Sequence, residues 1–133
     1  MREITKDGVI LARLIDTEDL KSGLNFFSKD EEFVQVGVWG HYEKGKYLQN
    51  HVHNKFVRVA NRTYEALYMI KGSMDVDIFD LNKVFVERFN IQTGQILILM
   101  ECAHGYTITE EDTTVLEIKN GPFAGAEKDK EKF

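Results

Sequence analysis

The sequence predicts an all-β protein built from short strands. Apolar and polar residues alternate over several short stretches, as in residues 34–38 and 74–79. Turn residues separate these stretches at intervals of about 8–12 residues, which is typical of β-sandwiches and barrels. The 133 residues include one proline, and no Ser/Gly linker or internal repeat divides them. We therefore expect a single domain over residues 1–133.

Each expected strand follows from its local pattern. The expected strands cover, in chain order, residues 33–39, 56–59, 64–71, 74–79, 84–89, 95–100, 106–108 and 114–119. Residues 80–83, with the sequence Asp-Leu-Asn-Lys, predict a hairpin loop. Residues 95–100 are almost continuously apolar, so we expect this strand in the middle of a sheet. The one helical candidate is residues 17–24, with Thr17 as its cap, and the charged residues 127–132 predict a solvated tail.

Composition excludes several classes of protein. The net charge is −5 and the pI is near 5.4, which argues against a general nucleic-acid binder. No apolar run approaches the roughly 20 residues that cross a membrane, and the single cysteine forms no internal disulfide. With no signal-peptide pattern, we expect a cytoplasmic protein.

An N-terminal cluster of apolar residues exceeds what a free arm exposes and predicts a homodimer. Its members are Val9, Ile10, Leu11, Leu14 and Ile15.

The candidate metal ligands are histidines and one carboxylate. His51 and His53 are two residues apart, so in a strand their rings lie on one face and can chelate one ion. Glu65 shares its parity with apolar Leu67 and Met69 in a predicted strand, which favours an interior carboxylate. His104 follows the most apolar strand. Three alternatives stay open: a surface histidine pair, an outward Glu65, and a structural His104.

These residues resemble the first motif of the cupin superfamily, Gly-x5-His-x-His-x3–4-Glu-x6-Gly. Gly45, His51, His53, Glu65 and Gly72 occupy its positions in order. Eleven residues separate His53 from Glu65 where the motif has three or four. We interpret residues 56–61 as an extension of that loop.

The second cupin motif, Gly-x5-Pro-x-Gly-x2-His-x3-Asn, is matched less fully. Gly94 fits, and His104 falls one residue early. Met100, Cys102 and Ile108 stand where Pro, the second Gly and Asn are usual. The turn before His104 is therefore expected to have a different shape. The resemblance covers about residues 34–119.

The resemblance implies a double-stranded β-helix, or jelly-roll barrel, over about residues 33–122. An N-terminal strand or arm at residues 1–32 and a charged tail at 123–133 would flank it. It also implies that His51, His53, Glu65 and His104 bind one divalent transition metal. Such ligands suit Fe, Mn, Ni, Co, Cu or Zn, and the ligand types do not choose among them.

The function implied is a metal-dependent enzyme acting on a small polar substrate, either sugar-like or anionic. The alternatives are an Fe(II)-dependent dioxygenase, a metal-free sugar-nucleotide isomerase and a non-catalytic binding module. A metal-dependent enzyme of this kind would be an isomerase, an epimerase or a dioxygenase. Residues 54–62 carry three cations beside the expected mouth, which predicts an anionic ligand. The expected substrate contacts are Gln49, Arg58, Arg62, Tyr68 and Tyr106.

Overall fold

A computed structural model describes all residues from 1 to 133. Strands hold 44% of the residues and helices 5%, which confirms the all-β class. The strands are β1 (Arg2–Lys6), β2 (Val9–Ile15), β3 (Gly23–Phe26), β4 (Gly37–Gly40), β5 (Glu65–Lys71), β6 (Ser73–Phe79), β7 (Phe85–Gln92), β8 (Ile96–Leu99), β9 (Ala103–Ile108) and β10 (Thr114–Lys119). A 3-10 turn (Thr17–Asp19) and one short helix, α1 (Ala126–Asp129), complete the fold. Neither has the length and apolar character that crossing a membrane requires.

Three antiparallel sheets arrange these strands. The five-stranded sheet has the order β1-β2-β8-β5-β10, the three-stranded sheet has the order β7-β6-β9, and β3 and β4 form a two-stranded ribbon. Strand β8 lies between β2 and β5, so the most apolar stretch is central, as its sequence predicts. The register of β10 on β5 sets Lys119 opposite Glu65.

The two larger sheets face each other across the main apolar core. Leu67 and Met69 on β5 are buried, as are Val76 and Ile78 on β6. Apolar burial of this kind is the dominant stabilising contribution to a sandwich. On one side the sheets are joined, because the Arg2 guanidinium lies 5.5 Å from the centre of the Phe89 ring of β7.

The opposite side of the sandwich is open. Strands β9 and β10 are the edge strands there, and neither has a second partner. The sheets therefore do not close into a barrel. Residues 41–64 form no helix or strand, and residues 41–62 are exposed. The strand expected at residues 56–59 is thus wrong for this structure: its side chains alternate, but no sheet edge pairs with it.

Turn chemistry explains how the hairpins are made. The Asp80 carboxylate accepts hydrogen bonds from the backbone N–H groups of Asn82 and Val84, both at 2.9 Å, in the hairpin loop expected at residues 80–83. Gly72, between β5 and β6, has φ +84°, and a Cβ there would lie 2.9 Å from the Cα of Thr113. Only glycine therefore fits that turn.

Two terminal expectations need correction. The helix expected at residues 17–24 is only the short 3-10 turn, and its cap is Asp16 rather than Thr17. It ends at Asp19, and Gly23 begins β3 shortly after it.

The apolar N-terminal residues do not form a free arm: Leu11 and Ile15 of β2 are buried in the chain's own fold. They therefore give no support to a homodimer. The charged tail includes the single turn α1.

A buried arginine fastens the segment at residues 27–36 across the outer face of the five-stranded sheet. Arg13 is 2% exposed, and its guanidinium binds both carboxylate oxygens of Glu32, at 2.5 and 2.8 Å. It also donates to Glu3 at 2.8 Å and to the Phe27 carbonyl at 3.2 Å. Burial raises the pKa of Glu32, but the contact with Arg13 outweighs it and leaves that pKa lowered. Beneath this segment lies a second apolar cluster around Ile15 and Ile98.

We predict that Glu32→Gln lowers the free energy of unfolding by roughly 3 kcal/mol, because it removes the main charge partner of a buried guanidinium. Urea denaturation followed by circular dichroism measures this. The matched control is Asp112→Asn, which loses a single exposed contact with Lys71 at 3.7 Å and should cost less than about 0.5 kcal/mol. Equal effects of the two variants would contradict the proposed fastening.

Candidate functional site

A cleft of about 650 Å³ opens at one end of the sandwich. The start of β5, the end of β6 and the start of β9 form its walls, and the C-terminal residues border it. Its lining includes Arg62, Glu65, Asp77, Phe79, Lys83, Cys102, His104 and residues 129–133. Charged and apolar groups are mixed, as is usual where a small polar molecule binds.

Glu65 is the central residue of this cleft. It is the first residue of β5 and points to the interior with Leu67 and Met69, as its parity predicts, and it is 7% exposed. Its Oε1 lies 2.8 Å from the Nζ of Lys119, its cross-strand neighbour on β10. Its Oε2 lies 3.2 Å from the Nε2 of His104 on β9. One carboxylate therefore joins the two sheets at their open side.

The electrostatics of this contact keep Glu65 ionised. Burial raises the pKa of Glu65, but His104 and Lys119 together outweigh it and hold the pKa at about 2. The carboxylate in turn raises the pKa of Lys119, against the opposing effect of burial. Two buried atoms still lack hydrogen-bond partners, Glu65 Oε2 and His104 Nδ1. The 3.2 Å contact between Glu65 Oε2 and His104 Nε2 therefore does not have the alignment of a hydrogen bond.

Two further ionisable groups beside Glu65 stay protonated. The Tyr106 ring centre is 5.2 Å from that of His104, and burial, followed by the charge of Glu65, raises the pKa of its hydroxyl. Burial raises the pKa of the Cys102 thiol to about 12. Cys102 is therefore a neutral, slowly reacting thiol. Tyr106 remains a hydrogen-bond donor.

The other expected metal ligands lie elsewhere. His51 and His53 are neighbours, with ring centres 5.1 Å apart, but both are on the exposed segment at residues 41–62 and neither lines the cleft. His51 Nδ1 is 3.1 Å from the carbonyl of Gln49. The structure thus brings together Glu65 and His104, and separately His51 and His53. No group of three or more His, Cys, Asp or Glu residues that could hold a metal is formed.

The expected substrate residues also divide. Arg62 lines the cleft, with its Nε 3.7 Å from Glu101, and Tyr106 lies beside His104. Arg58 instead stacks on the Phe56 ring, with its guanidinium carbon 3.6 Å from the ring centre. Both Arg58 and Gln49 lie on the exposed segment and do not line the cleft. Tyr68 belongs to the opposite parity of β5 from Glu65, so it lies on the outer face of the sheet.

The sequence pattern missed Lys119 and the C-terminal segment. The sequence predicts that Lys119 is the last residue of a strand. Its position opposite Glu65, however, depends on the pairing of β5 with β10. Residues 126–133 are here called the strap, and residues 129–133 of it line the cleft. Lys83 binds Glu131 at 2.7 Å, and the Phe133 ring centre lies 5.3 Å from that of Phe79. Thr63 also hydrogen-bonds to Asp129.

Comparison with protein-family models, with curated proteins and with solved structures found no match. Function must therefore be inferred from the chemistry of the site. A buried ionised carboxylate beside an imidazole can bind a cation or orient the imidazole for proton transfer.

We predict that the stability advantage of the wild type over Glu65→Gln depends on pH. A carboxyl with a pKa of about 2 in the folded state, and near 4.5 in the unfolded state, stabilises the fold above pH 4.5. This contribution, on the order of 2–3 kcal/mol, is lost as the pH falls from 4.5 towards 2. Urea unfolding of both proteins over this range measures it. Glu117→Gln is the control, since Glu117 also contacts Lys119 but is more exposed. A difference that does not change with pH would contradict the ion pair.

We predict that deletion of residues 126–133 speeds the reaction of Cys102 with a thiol reagent several-fold. The strap lines the same cleft as Cys102, the only cysteine of the chain. Lys83→Ala should have a smaller effect in the same direction, because Lys83 contacts both Glu131 and Phe133. Absorbance of the released thiolate gives the rate, and Lys71→Ala is the control. Unchanged rates in the truncated chain would show that the strap does not cover the cleft.

Proposed function

We propose that this chain is a metal-binding cupin whose site is centred on Glu65 and His104, and that it is a metal-dependent enzyme acting on a small polar or anionic substrate. One observation carries the proposal: a buried, ionised carboxylate and an imidazole from opposite sheets meet at 3.2 Å. Glu65 Oε2, one of the two atoms of this contact, also has no hydrogen-bond partner. Such unsatisfied groups are expensive unless a ligand completes them.

The sheet arrangement supports the jelly-roll part of the proposal. Strands β9 and β10 have free edges beside the Glu65–His104 contact, and the chain has a long exposed segment, residues 41–62, that no sheet pairs. Free strand edges favour the addition of another strand. Addition of residues 51–59 to the edge of β9 would close that side and would carry His51 and His53 towards His104.

The donor atoms of Glu65 and His104 fit a first-row metal ion. Ligand oxygen and nitrogen atoms lie about 2.0–2.2 Å from such an ion, so two neighbouring ligands are about 3 Å apart. The 3.2 Å between Glu65 Oε2 and His104 Nε2 agrees with this. His51 and His53 are the remaining ligands of the proposed set, and their adjacent rings suit a shared ion. A bound ion would supply Lewis acidity towards a substrate oxygen.

The other residues of the cleft favour a substrate with anionic or hydroxyl groups. Four cations line the cleft beside four carboxylates, and one of the cations is Arg62. Arginine binds carboxylates or phosphates in a bidentate manner. Lys119 holds the Glu65 carboxylate in place from the side away from His104. The Tyr106 hydroxyl, whose pKa is raised and which stays protonated, is a hydrogen-bond donor near His104 that a substrate oxygen would accept from.

A second candidate is metal-free proton transfer, as in the sugar-nucleotide isomerase alternative. The same contact favours it, because a carboxylate beside an imidazole orients the ring and stabilises its protonated form. In this case His104 would exchange the proton, and His51 and His53 would have no part at the site. The two functions therefore differ in what they require of the exposed histidines.

We predict that the purified protein binds about one Co²⁺ or Zn²⁺ ion per chain, as expected for a single ligand cluster. Calorimetric titration and elemental analysis measure the stoichiometry, and visible absorption of bound Co²⁺ reports the ligands. His51→Ala, His53→Ala and His104→Ala should each reduce the affinity at least tenfold, since each removes a ligand. Glu65→Gln should weaken binding to a smaller degree.

The matched control is His41→Asn. His41 is an exposed histidine outside the ligand set, with φ +57°, a conformation that asparagine tolerates. This variant should bind metal like the wild type. Absence of metal uptake by the wild type, with intact folding by circular dichroism, would refute the metal site and favour proton transfer. Unchanged affinity in both His51→Ala and His53→Ala would refute this ligand set.

A further inference from the structure

The outer face of the five-stranded sheet is covered over only half of its width. The segment at residues 27–36, held by Arg13, covers the β2 and β8 half and buries Ile15 and Ile98. The β5 and β10 half has no cover. Its outward side chains are large, apolar and 42–57% exposed: Tyr68, Ile70, Leu116 and Ile118. No charged side chain stands among them, and β10 also has a free edge.

The ribbon of β3 and β4 presents a second uncovered apolar surface. Leu24 is paired with Trp39, and Phe26 with Gly37, so these residues share one face of the ribbon. The three large side chains are 44%, 56% and 67% exposed for Leu24, Trp39 and Phe26. The ribbon pairs with no other strand. A two-stranded ribbon is marginally stable in water, and one with an exposed apolar face needs a partner.

We propose that these two surfaces pack against each other between two copies of the chain. The apolar face of the ribbon in one copy would cover the β5–β10 outer face of the other, and a two-fold axis would repeat the contact. Both complementary halves are present on every chain, yet within one chain both remain exposed. Two such contacts related by a two-fold axis form a closed dimer, because each copy then uses both of its surfaces. Edge strand β10 would also be shielded from uncontrolled pairing.

The exposed area is large enough for a dimer. Aromatic side chains bury about 150–250 Å² each when fully covered, and three of the seven half-exposed side chains are aromatic, so the seven together offer on the order of 600 Å² per chain. A standard protein interface buries roughly 800 Å² per partner, so these side chains supply most of one. The proposal does not depend on the metal site, because Glu65 and His104 lie on the inner side of the sandwich.

The test is the oligomeric state of the full chain and of three variants at 50 µM. Light scattering should give about 31 kDa for the wild type, twice the 15.4 kDa of one chain. Ile118→Glu on the sheet side and Phe26→Glu on the ribbon side should each give monomers, because each places a charge in the apolar contact. Val84→Glu, at an exposed apolar residue of the β6–β7 turn, is the control and should remain a dimer.

Trp39, the only tryptophan, reports directly on the ribbon. Acrylamide should quench its fluorescence several-fold less in the wild type than in Ile118→Glu. A wild-type monomer at 50 µM would overturn the proposal. So would a dimer that persists in both charged variants, or one in which Trp39 is quenched equally in wild type and Ile118→Glu. Dissociation of Val84→Glu would place the interface elsewhere and would also overturn it.

Discussion

Burial of the Glu65 carboxylate is the constraint around which this fold and its site are arranged. A carboxylate that is 7% exposed is tolerated only with charged or hydrogen-bonding partners. Lys119 supplies one from the neighbouring strand, and His104 supplies the other from the opposite sheet. The Glu65 carboxylate therefore contacts both its neighbouring strand β10 and strand β9 of the opposite sheet. A slip of one residue in β10 would turn Lys119 to the outer face and leave the carboxylate with one partner.

Features that depend on local sequence were predictable. The parity that Glu65 shares with Leu67 and Met69 favoured an inward side chain, because side chains alternate along a strand, and the structure has Glu65 buried. The loop at residues 80–83 was predictable because an aspartate that accepts from its own backbone makes a tight turn wherever it occurs. Strand β10 also has the expected limits, residues 114–119, because turn residues flank it on both sides.

Features that depend on distant partners were not predictable. Nothing local to Lys119 shows that it faces Glu65, because 54 positions separate them and only strand pairing brings them together. The contact of Phe133 with Phe79 is of the same kind, and a charged tail hides it further. The alternation at residues 56–59 resembles that of a strand, yet a strand forms only where an edge offers hydrogen bonds. Local pattern therefore overestimates structure on the segment that carries His51 and His53.

Two surfaces on the open side of the sandwich are unpaired or uncovered: the edge of β9 and the outer face of β5 and β10. The free edge of β9 offers backbone hydrogen bonds to another strand, and residues 51–59 of the same chain are long enough to form one in the proposed closed arrangement. The outer face of β5 and β10 needs apolar cover, which a strand at an edge does not give. Because Tyr68 and Glu65 point to opposite faces of one strand, the two surfaces lie on opposite sides of the sheet. The proposed metal site and the proposed interface between copies are thus separable: a charge at Ile118 would leave the proposed ligands untouched, and loss of His51 would leave the outer face unchanged.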